Sequence, residues 1–398
     1  MENRERVKEN LQLIDSLSRQ EVKITAANVD LVDLTFNVPM TLPFGLISNR
    51  PSSWVNISTI SNGILYTGCG EGVTLPEPLF TDDSAHNIVQ NSRELLNLLL
   101  SSDTRSYNEL LGLINQHSFS DGGKYPTARL AVEMSILDLL AKTNQVSIRK
   151  MIGIPDDITE VSYGKSIGAD NVEEMIKQTE EAVAVNATKI KIKVSPKTFS
   201  EVVSAITQIR KLFPHIDIMV DANGTFDPSD NTDIDKISQL DKLGLIMIEE
   251  PTSRVGKVRG IEANYLLRQK LPNLLTPICL DDCLHTLDDC KKVVEDGIAQ
   301  IINIKPGRLG SFLVCIELID WIKDNNVEVM VGGMFEATPG RCMTLLLGAY
   351  CLSKGFTIPG DLSLAQERLI SDLVIPEKQL KMSPHGNIKI PAGIGWGF

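Results

Sequence analysis

Aromatic side chains make up only 5% of this 398-residue chain, histidines number five, and Lys+Arg 39 against Asp+Glu 51 leaves a net charge of −12. The acidic excess argues against general affinity for phosphate backbones or anionic membranes, so no nucleic-acid and no membrane partner is expected. No run approaches the roughly 20 apolar residues of a membrane span. The opening MENRERVKEN is charged from its second residue, which fits neither a signal peptide nor an anchor. The histidines (His86, His117, His215, His285, His385) fall mostly away from strand ends, so the His-rich ligand sets of metallohydrolases are missing. Seven cysteines scatter through the chain, several inside apolar runs such as Ser311–Leu318, and read as reduced, buried thiols of a cytoplasmic protein. Cys279, Cys283 and Cys290 lack the paired short spacing of a zinc site. What is present, 42% hydrophobic and 23% charged residues, is the balance of an ordinary globular protein. The length implies two domains or one large barrel with an attachment.

The hydrophobic period changes twice along the chain. Residues 1–20 read as an amphipathic helical extension with Leu11, Ile14 and Leu17 on one face. Residues 21–155 read as an α+β domain: alternating strands over Glu21–Val38, Trp54–Thr59 and Gly63–Tyr66, then helical periodicity from Asp83 to Gly153. From 156 to 374, eight short β-rich runs each precede a helical pattern: VSYGKSI (161–167), KIKIKV (189–194), DIMVD (217–221), LIMIE (245–249), PICL (277–280), QIINI (300–304), EVMVGG (328–333) and FTIPG (356–360). Their starts lie about 23 to 32 residues apart, the size of one βα unit, and eight such units close into a (β/α)8-type barrel. An open doubly wound sheet is the competing reading, but no glycine-rich nucleotide fingerprint follows the first strand. The tail 375–398 is expected to return to the first domain.

Catalytic groups of a barrel come from the C-terminal ends of its strands. On the second, Lys189, Lys191 and Lys193 alternate with Ile190 and Ile192; isoleucines facing the helices would turn the lysines inward, where they need carboxylate partners. Asp221, Glu249 and Asp281 close the next three strands. Any one of these acids reads as a helix cap or first-turn residue. Three converging together would repel one another unless a cation sat among them, and rigid oxygen ligands suit Mg²⁺, with Mn²⁺ as a substitute. The sixth strand ends in INIKPGR, placing Lys305 across the barrel from Lys193, and the seventh in GGMFE with Glu336. Two lysines facing each other over a divalent ion define a reaction class: abstraction of the α-proton of a small carboxylate substrate through an enediolate, followed by return of the proton on the other face or by elimination.

The ordered set KIKIK, DAN (221–223), IEEP (248–251), LDD (280–282), NIKPGR (303–308) and GGMFE (332–336), with GCGEG (68–72) and AVEMSILDLLAK (131–142), resembles the enolase superfamily, specifically its muconate-lactonising subgroup. The resemblance implies a modified (β/α)7β TIM barrel of class α/β with an N-terminal α+β capping domain. It implies Asp221, Glu249 and Asp281 as Mg²⁺ ligands, Lys193 and Lys305 as the acid/base pair, Lys191 as an electrostatic helper that contacts the substrate carboxylate, and Asn223 and Asp282 as groups supporting metal and lysine. Arg308, Gly333, Met334, Glu336, Asp361 and Ser166 are expected at the substrate, and the loop Thr41–Pro51, with Phe44 and Gly45, matches a mobile capping loop. Arg50 in that loop is expected to be solvated, and Lys165 has no assigned role.

KPGR, GGMFEATPGR and PGDLS look most like o-succinylbenzoate synthases and the related N-succinylamino acid racemases. The alternative within the superfamily is a dipeptide epimerase of the L-Ala-D/L-Glu type, which normally offers Asp-x-Asp at the eighth strand for a free ammonium, or another muconate-cycloisomerase-like enzyme. Here Pro359-Gly360-Asp361 lacks one of the two acids. An alternative of another class is a non-catalytic barrel acting as a binding protein, which the completeness of the five-residue set opposes. A homo-oligomer is expected.

Overall fold

Alternation of apolar residues near the N-terminus grows into a longer hairpin than its pattern suggests. The computed structural model, which describes residues 13–42, 45–168 and 171–398, pairs Ala26–Leu42 with Gly45–Ser61, and the latter with Ile64–Val73, as a three-stranded antiparallel sheet. The register shifts between Thr35 and Met40, around Pro39, which has no N–H to donate to a ladder. Phe44 lies outside the described residues. The segment expected as a loop is thus mostly strand, and Arg50, expected in solvent, is fully buried.

The helix Pro126–Thr143 lies across this sheet with almost its whole circumference buried. The motif GCGEG explains how it comes so close. A Cβ on Gly68 would stand 2.1 Å from the carbonyl oxygen of Ser135, and one on Gly70 1.9 Å from that of Ala131. Alternate glycines therefore form a flat face for the helix, while the residues between them, including Glu71, point the other way.

Seven parallel strands follow in sequential spatial order: Gly164–Ile167, Lys189–Lys193, Asp217–Asp221, Met247–Glu249, Ile278–Leu280, Ile301–Ile304 and Glu328–Val331. Helices between them start on local caps, for example Asn171 accepting from Glu174 N, and the reciprocal Thr286/Asp289 box. Two expectations about the strands need correcting. The first run divides, with Glu160–Ser162 pairing instead with Asn387–Lys389 of the tail. The eighth run, Phe356–Gly360, is not a strand; the barrel closes beyond it through Asp361 N to Val331 O (2.9 Å) and Gly164 N to Leu362 O (3.1 Å). Pro359 supplies one reason, having no N–H for a ladder.

Inside the barrel Met219, Met247, Cys279, Ile301 and Met330 form an apolar plug. Each stands two residues before the group that tops its strand: Asp221, Glu249, Asp281, Asn303 and Gly332. Period-two alternation puts that second layer on the same inward side, at the C-terminal mouth. The tail reaches the N-terminal domain, where Trp396 donates from Nε1 to Met134 O (3.1 Å). All seven cysteines are free thiols, six of them buried, and no helix among the described residues is long and apolar enough to cross a membrane.

Candidate active site

Lys191 and Lys193 point to the same side of the second strand as Asp221 of the third, because Lys193 pairs with Asp221 in register and Asp221 with Glu249. Lys193 Nζ donates to Asp221 Oδ2 (2.6 Å) and to Asn223 Oδ1 (2.8 Å). Asn223, at a positive φ of 44°, returns its backbone N–H to Asp221 Oδ1 (2.9 Å). Lys191 Nζ lies 3.3 Å from Glu249 Oε2 and 3.5 Å from Asp221 Oδ2, and pairs also with Asp361. Lys305 and Arg308 both bind Asp281. In an eight-position barrel the second and sixth strands lie opposite each other, so Lys193 and Lys305 face across the mouth with the three carboxylates on the arc between. The Lys193 side chain is 40% exposed and that of Lys305 15%, so the second strand forms the more open side.

Burial sets the acidities here. Glu249 is pushed up to about 8 by burial and by the like charges of Asp221 and Asp281, against the pull of Lys191. Asp221 and Asp281 are also penalised by burial, but the ammonium and guanidinium groups outweigh it and hold both below the usual carboxylate range. Burial lowers Lys305, yet Asp281 and Asp282 overcome it and raise it to about 12. Lys189, wholly buried below the site, is brought down to about 8 by burial and donates to Pro359 O at 2.7 Å. It thereby ties down the segment that replaces an eighth strand.

The residues expected at the substrate divide. Ser166 Oγ donates to Asp361 Oδ1 (3.2 Å), extending the Lys191–Asp361 pair to the first strand. Arg308 is buried behind Asp281, with Nε on Leu284 O (2.6 Å) and Nη2 on Asn303 O (2.9 Å), so it braces a carboxylate and the sixth strand. Glu336 folds back, its Oε1 accepting from Met334 N (2.7 Å) and its Oε2 3.1 Å from Arg341 Nη2. Gly333 packs against both groups, and Met334 Sδ rests on Gly307. Asp282 meets Arg254 Nη2 at 2.8 Å. Lys165 pairs in register with Ile190, outside the lysine layer. Asn303 was missed: its Nδ2 donates to Glu249 Oε1 (2.7 Å). A polar residue breaking the apolar run IINI was the available signal.

No group of three or more acidic, His or Cys side chains among the described residues is gathered as a ready ligand set. The oxygens of Asp221, Glu249 and Asp281 accept from Lys191, Lys193, Lys305, Arg308 and Asn303. The donor chemistry nevertheless fits a hard divalent cation: three oxygen-only, buried side chains at the ends of rigid strands.

Residues 174–398 match the family model described as Enolase C-terminal domain-like, and residues 24–153 the Mandelate racemase / muconate lactonizing enzyme, N-terminal domain. The chain belongs to this family of enolase-superfamily enzymes. It is 28% identical over 380 residues to the o-succinylbenzoate synthase of Geobacillus stearothermophilus, with 94% of each chain covered. It is 27% identical over 383 residues to the N-succinylamino acid racemase of Thermus thermophilus, again with 94% of each covered. A crystal structure of an enolase-superfamily member from Listeria innocua superposes with a TM-score of 0.80 at 26% identity, covering 94% of both chains.

Proposed function

We propose that the protein abstracts the α-proton of a small carboxylate substrate with Lys193 and Lys305, as an o-succinylbenzoate synthase, an N-succinylamino acid racemase, or both. The observation that carries this reading is the placement of those two lysines on opposing strands with Asp221, Glu249 and Asp281 on the arc between them. The three carboxylates would hold Mg²⁺, which supplies the positive charge that acidifies the α-proton and offsets the enediolate's charge. Lys191, buried and held charged by Asp361 and Glu249, presents fixed positive charge to the substrate carboxylate. Asn223 and Asp221 orient Lys193; Asp281 orients Lys305 and is itself braced by Arg308. A base on each face permits inversion, while one base and one charge-stabilising lysine suffice for elimination of a β-leaving group.

A dipeptide epimerase is disfavoured by Asp361, whose carboxylate already faces Lys191 and Ser166 and whose Asp-x-Asp partner position is Pro359. The test is a side-by-side assay with Mg²⁺ in D₂O of o-succinylbenzoate formation, N-succinylamino acid racemisation and L-Ala-D/L-Glu epimerisation, following α-deuterium. Lys193→Ala and Lys305→Ala should each abolish racemisation. Absence of exchange in every substrate, or full racemisation by both variants, refutes the reading.

A further inference from the structure

Glu71 takes no part in the chemistry above, yet its buried carboxylate joins the capping sheet to the barrel. Its Oε1 accepts from Arg50 Nη1 (2.9 Å), Ser52 Oγ (3.2 Å) and the backbone N–H of Ala337 (3.0 Å), and its Oε2 from the N–H of Gly340 (2.8 Å). Those two amides bracket the start of the helix Thr338–Ser353. The helix's own N-cap, Ala337, has no side chain able to receive them. The first N–H groups of a helix lack intrahelical partners and are ordinarily capped by a neighbouring Ser, Thr, Asp or Asn. Here the carboxylates come from afar, Glu71 from the cap and Asp372 taking the N–H of Thr338 at 3.0 Å.

The loop Gly332–Ala337 leads into this helix. At its start Gly332 is pressed on the sixth strand, since a Cβ there would stand 2.4 Å from Asn303 Oδ1 and 2.9 Å from Lys305 Cε. In its middle Phe335 adopts a positive φ of 67°, a costly conformation for an aromatic residue that persists only when its surroundings hold it. The holding contacts come from the hairpin and its neighbour: the Phe335 ring meets Phe36 edge-on at 5.7 Å, and Arg368 lies over it at 5.6 Å. At the loop's end stands Glu71. One end of the segment therefore touches a proposed catalytic lysine and the other is fastened to the cap.

We infer that Glu71 is a positioning residue, the anchor through which the capping sheet sets the seventh-strand loop against Lys305. This rests on the proposed function for its kinetic consequence, though not for its structural one. Among the described residues Glu71 is the acid paired with Arg50, both side chains fully buried, so removing only the acid strands a buried guanidinium.

The experiment compares Glu71→Ala, Glu71→Gln and the double variant Arg50→Met/Glu71→Gln with wild type, in amide hydrogen exchange and in α-deuterium exchange of the two enantiomers of an N-succinylamino acid. Loss of the anchor should raise exchange in peptides covering 332–341 by about tenfold or more and leave those covering 217–221 and 245–249 unchanged. Because the loop touches Lys305 and not Lys193, α-exchange should slow about tenfold for the enantiomer whose exchange Lys305→Ala abolishes, and less than about threefold for the other. The double variant removes the stranded charge and keeps one acceptor oxygen, for Ala337 N or Gly340 N but not both, so it should recover part of each reading. Equal slowing of both enantiomers, or unchanged protection of 332–341, overturns the inference. If Glu71→Ala does not fold, the two glutamine variants decide by the same readings. If wild type exchanges no α-proton at all, the proposed chemistry fails, and amide exchange alone decides whether Glu71 sets the loop.

Discussion

Replacing Glu133 by Gln should stabilise the protein increasingly as pH rises from about 4.5 to 7. Glu133 lies on the helix Pro126–Thr143 with its side chain wholly buried, and its Oε1 accepts from Leu313 N (3.0 Å) at the start of the barrel helix Phe312–Lys323. Burial raises its pKa from the ordinary 4.5 to about 7, and the opposing hydrogen bonds from Ser311, Leu313 and Phe312 only partly offset this. Between those two values the folded protein keeps a proton that the unfolded chain has released. The stabilisation from that proton is complete below pH 4.5, falls as pH rises, and is gone above 7. A shift of 2.5 units, from 4.5 to 7, at 1.36 kcal/mol per unit, amounts to about 3 kcal/mol. Gln has the same shape, accepts from Leu313 N through its carbonyl, and cannot ionise. Urea unfolding of both proteins at pH 4.5, 5.5, 6.5 and 8 should therefore show the variant's advantage growing by about 3 kcal/mol across the series. A pH-independent difference, or one that shrinks, would refute the reasoning.

Three further outcomes are expected. Asp83 receives Thr127 N (2.9 Å) and Ala128 N (3.1 Å) at the start of the same helix, whose own N-cap Tyr125 offers no side-chain bond; Asp83→Ala should cost about 1–3 kcal/mol in urea unfolding, and an unchanged midpoint would contradict the capping role. Gly332→Ala forces its Cβ onto Asn303 and the Lys305 stem, so α-deuterium exchange should fall by about tenfold or more, whereas wild-type rates would show that the sixth strand yields freely. Mg²⁺ at about a hundredfold excess over its dissociation constant should add about 2.7 kcal/mol to wild type, seen as a higher thermal midpoint. Glu249→Gln should lose most of that rise, and an equal rise in both proteins removes Glu249 from the ligand set.

The parts of the fold legible in the sequence are those governed by period-two alternation and by βα spacing. Lys189, Lys191 and Lys193 between isoleucines announced an inward face, and Asp221, Glu249 and Asp281 announced strand ends, because both signals are local. The closing segment was misread because FTIPG has the composition of a strand, whereas its pairing depends on a side chain far away, Lys189, donating to Pro359 O. Arg50 was misread for the same reason: its partner Glu71 is 21 residues on, and nothing local marks either as buried. Arg308 and Glu336 carry charges that suit a substrate, but charge alone does not reveal that Asp281 and Arg341 already face them. Asn303 stood in view inside IINI, and its contact with Glu249 follows from a register that only the folded sheet supplies.

The charge count of the mouth bears on what it can receive. Asp221, Glu249, Asp281 and Asp361 are matched by Lys191, Lys193, Lys305 and Arg308, and Asp282 is met by Arg254. Pairing of this kind is how so many ionisable groups tolerate burial. A divalent cation would add two positive charges to this cluster. A carboxylate substrate brings one negative charge before its α-proton leaves and, as an enediolate, two afterwards. The loaded site is then complementary to the charge that develops during the reaction more than to the substrate that enters, the condition under which binding energy lowers a barrier. The ammonium groups of Lys193 and Lys305 that hold these carboxylates are also the proposed bases. Competition for Asp221 and Asp281 would loosen the contacts that hold Lys193 and Lys305 in place, and Asp281 is one of the groups that raises Lys305, so metal binding and base placement draw on the same ion pairs.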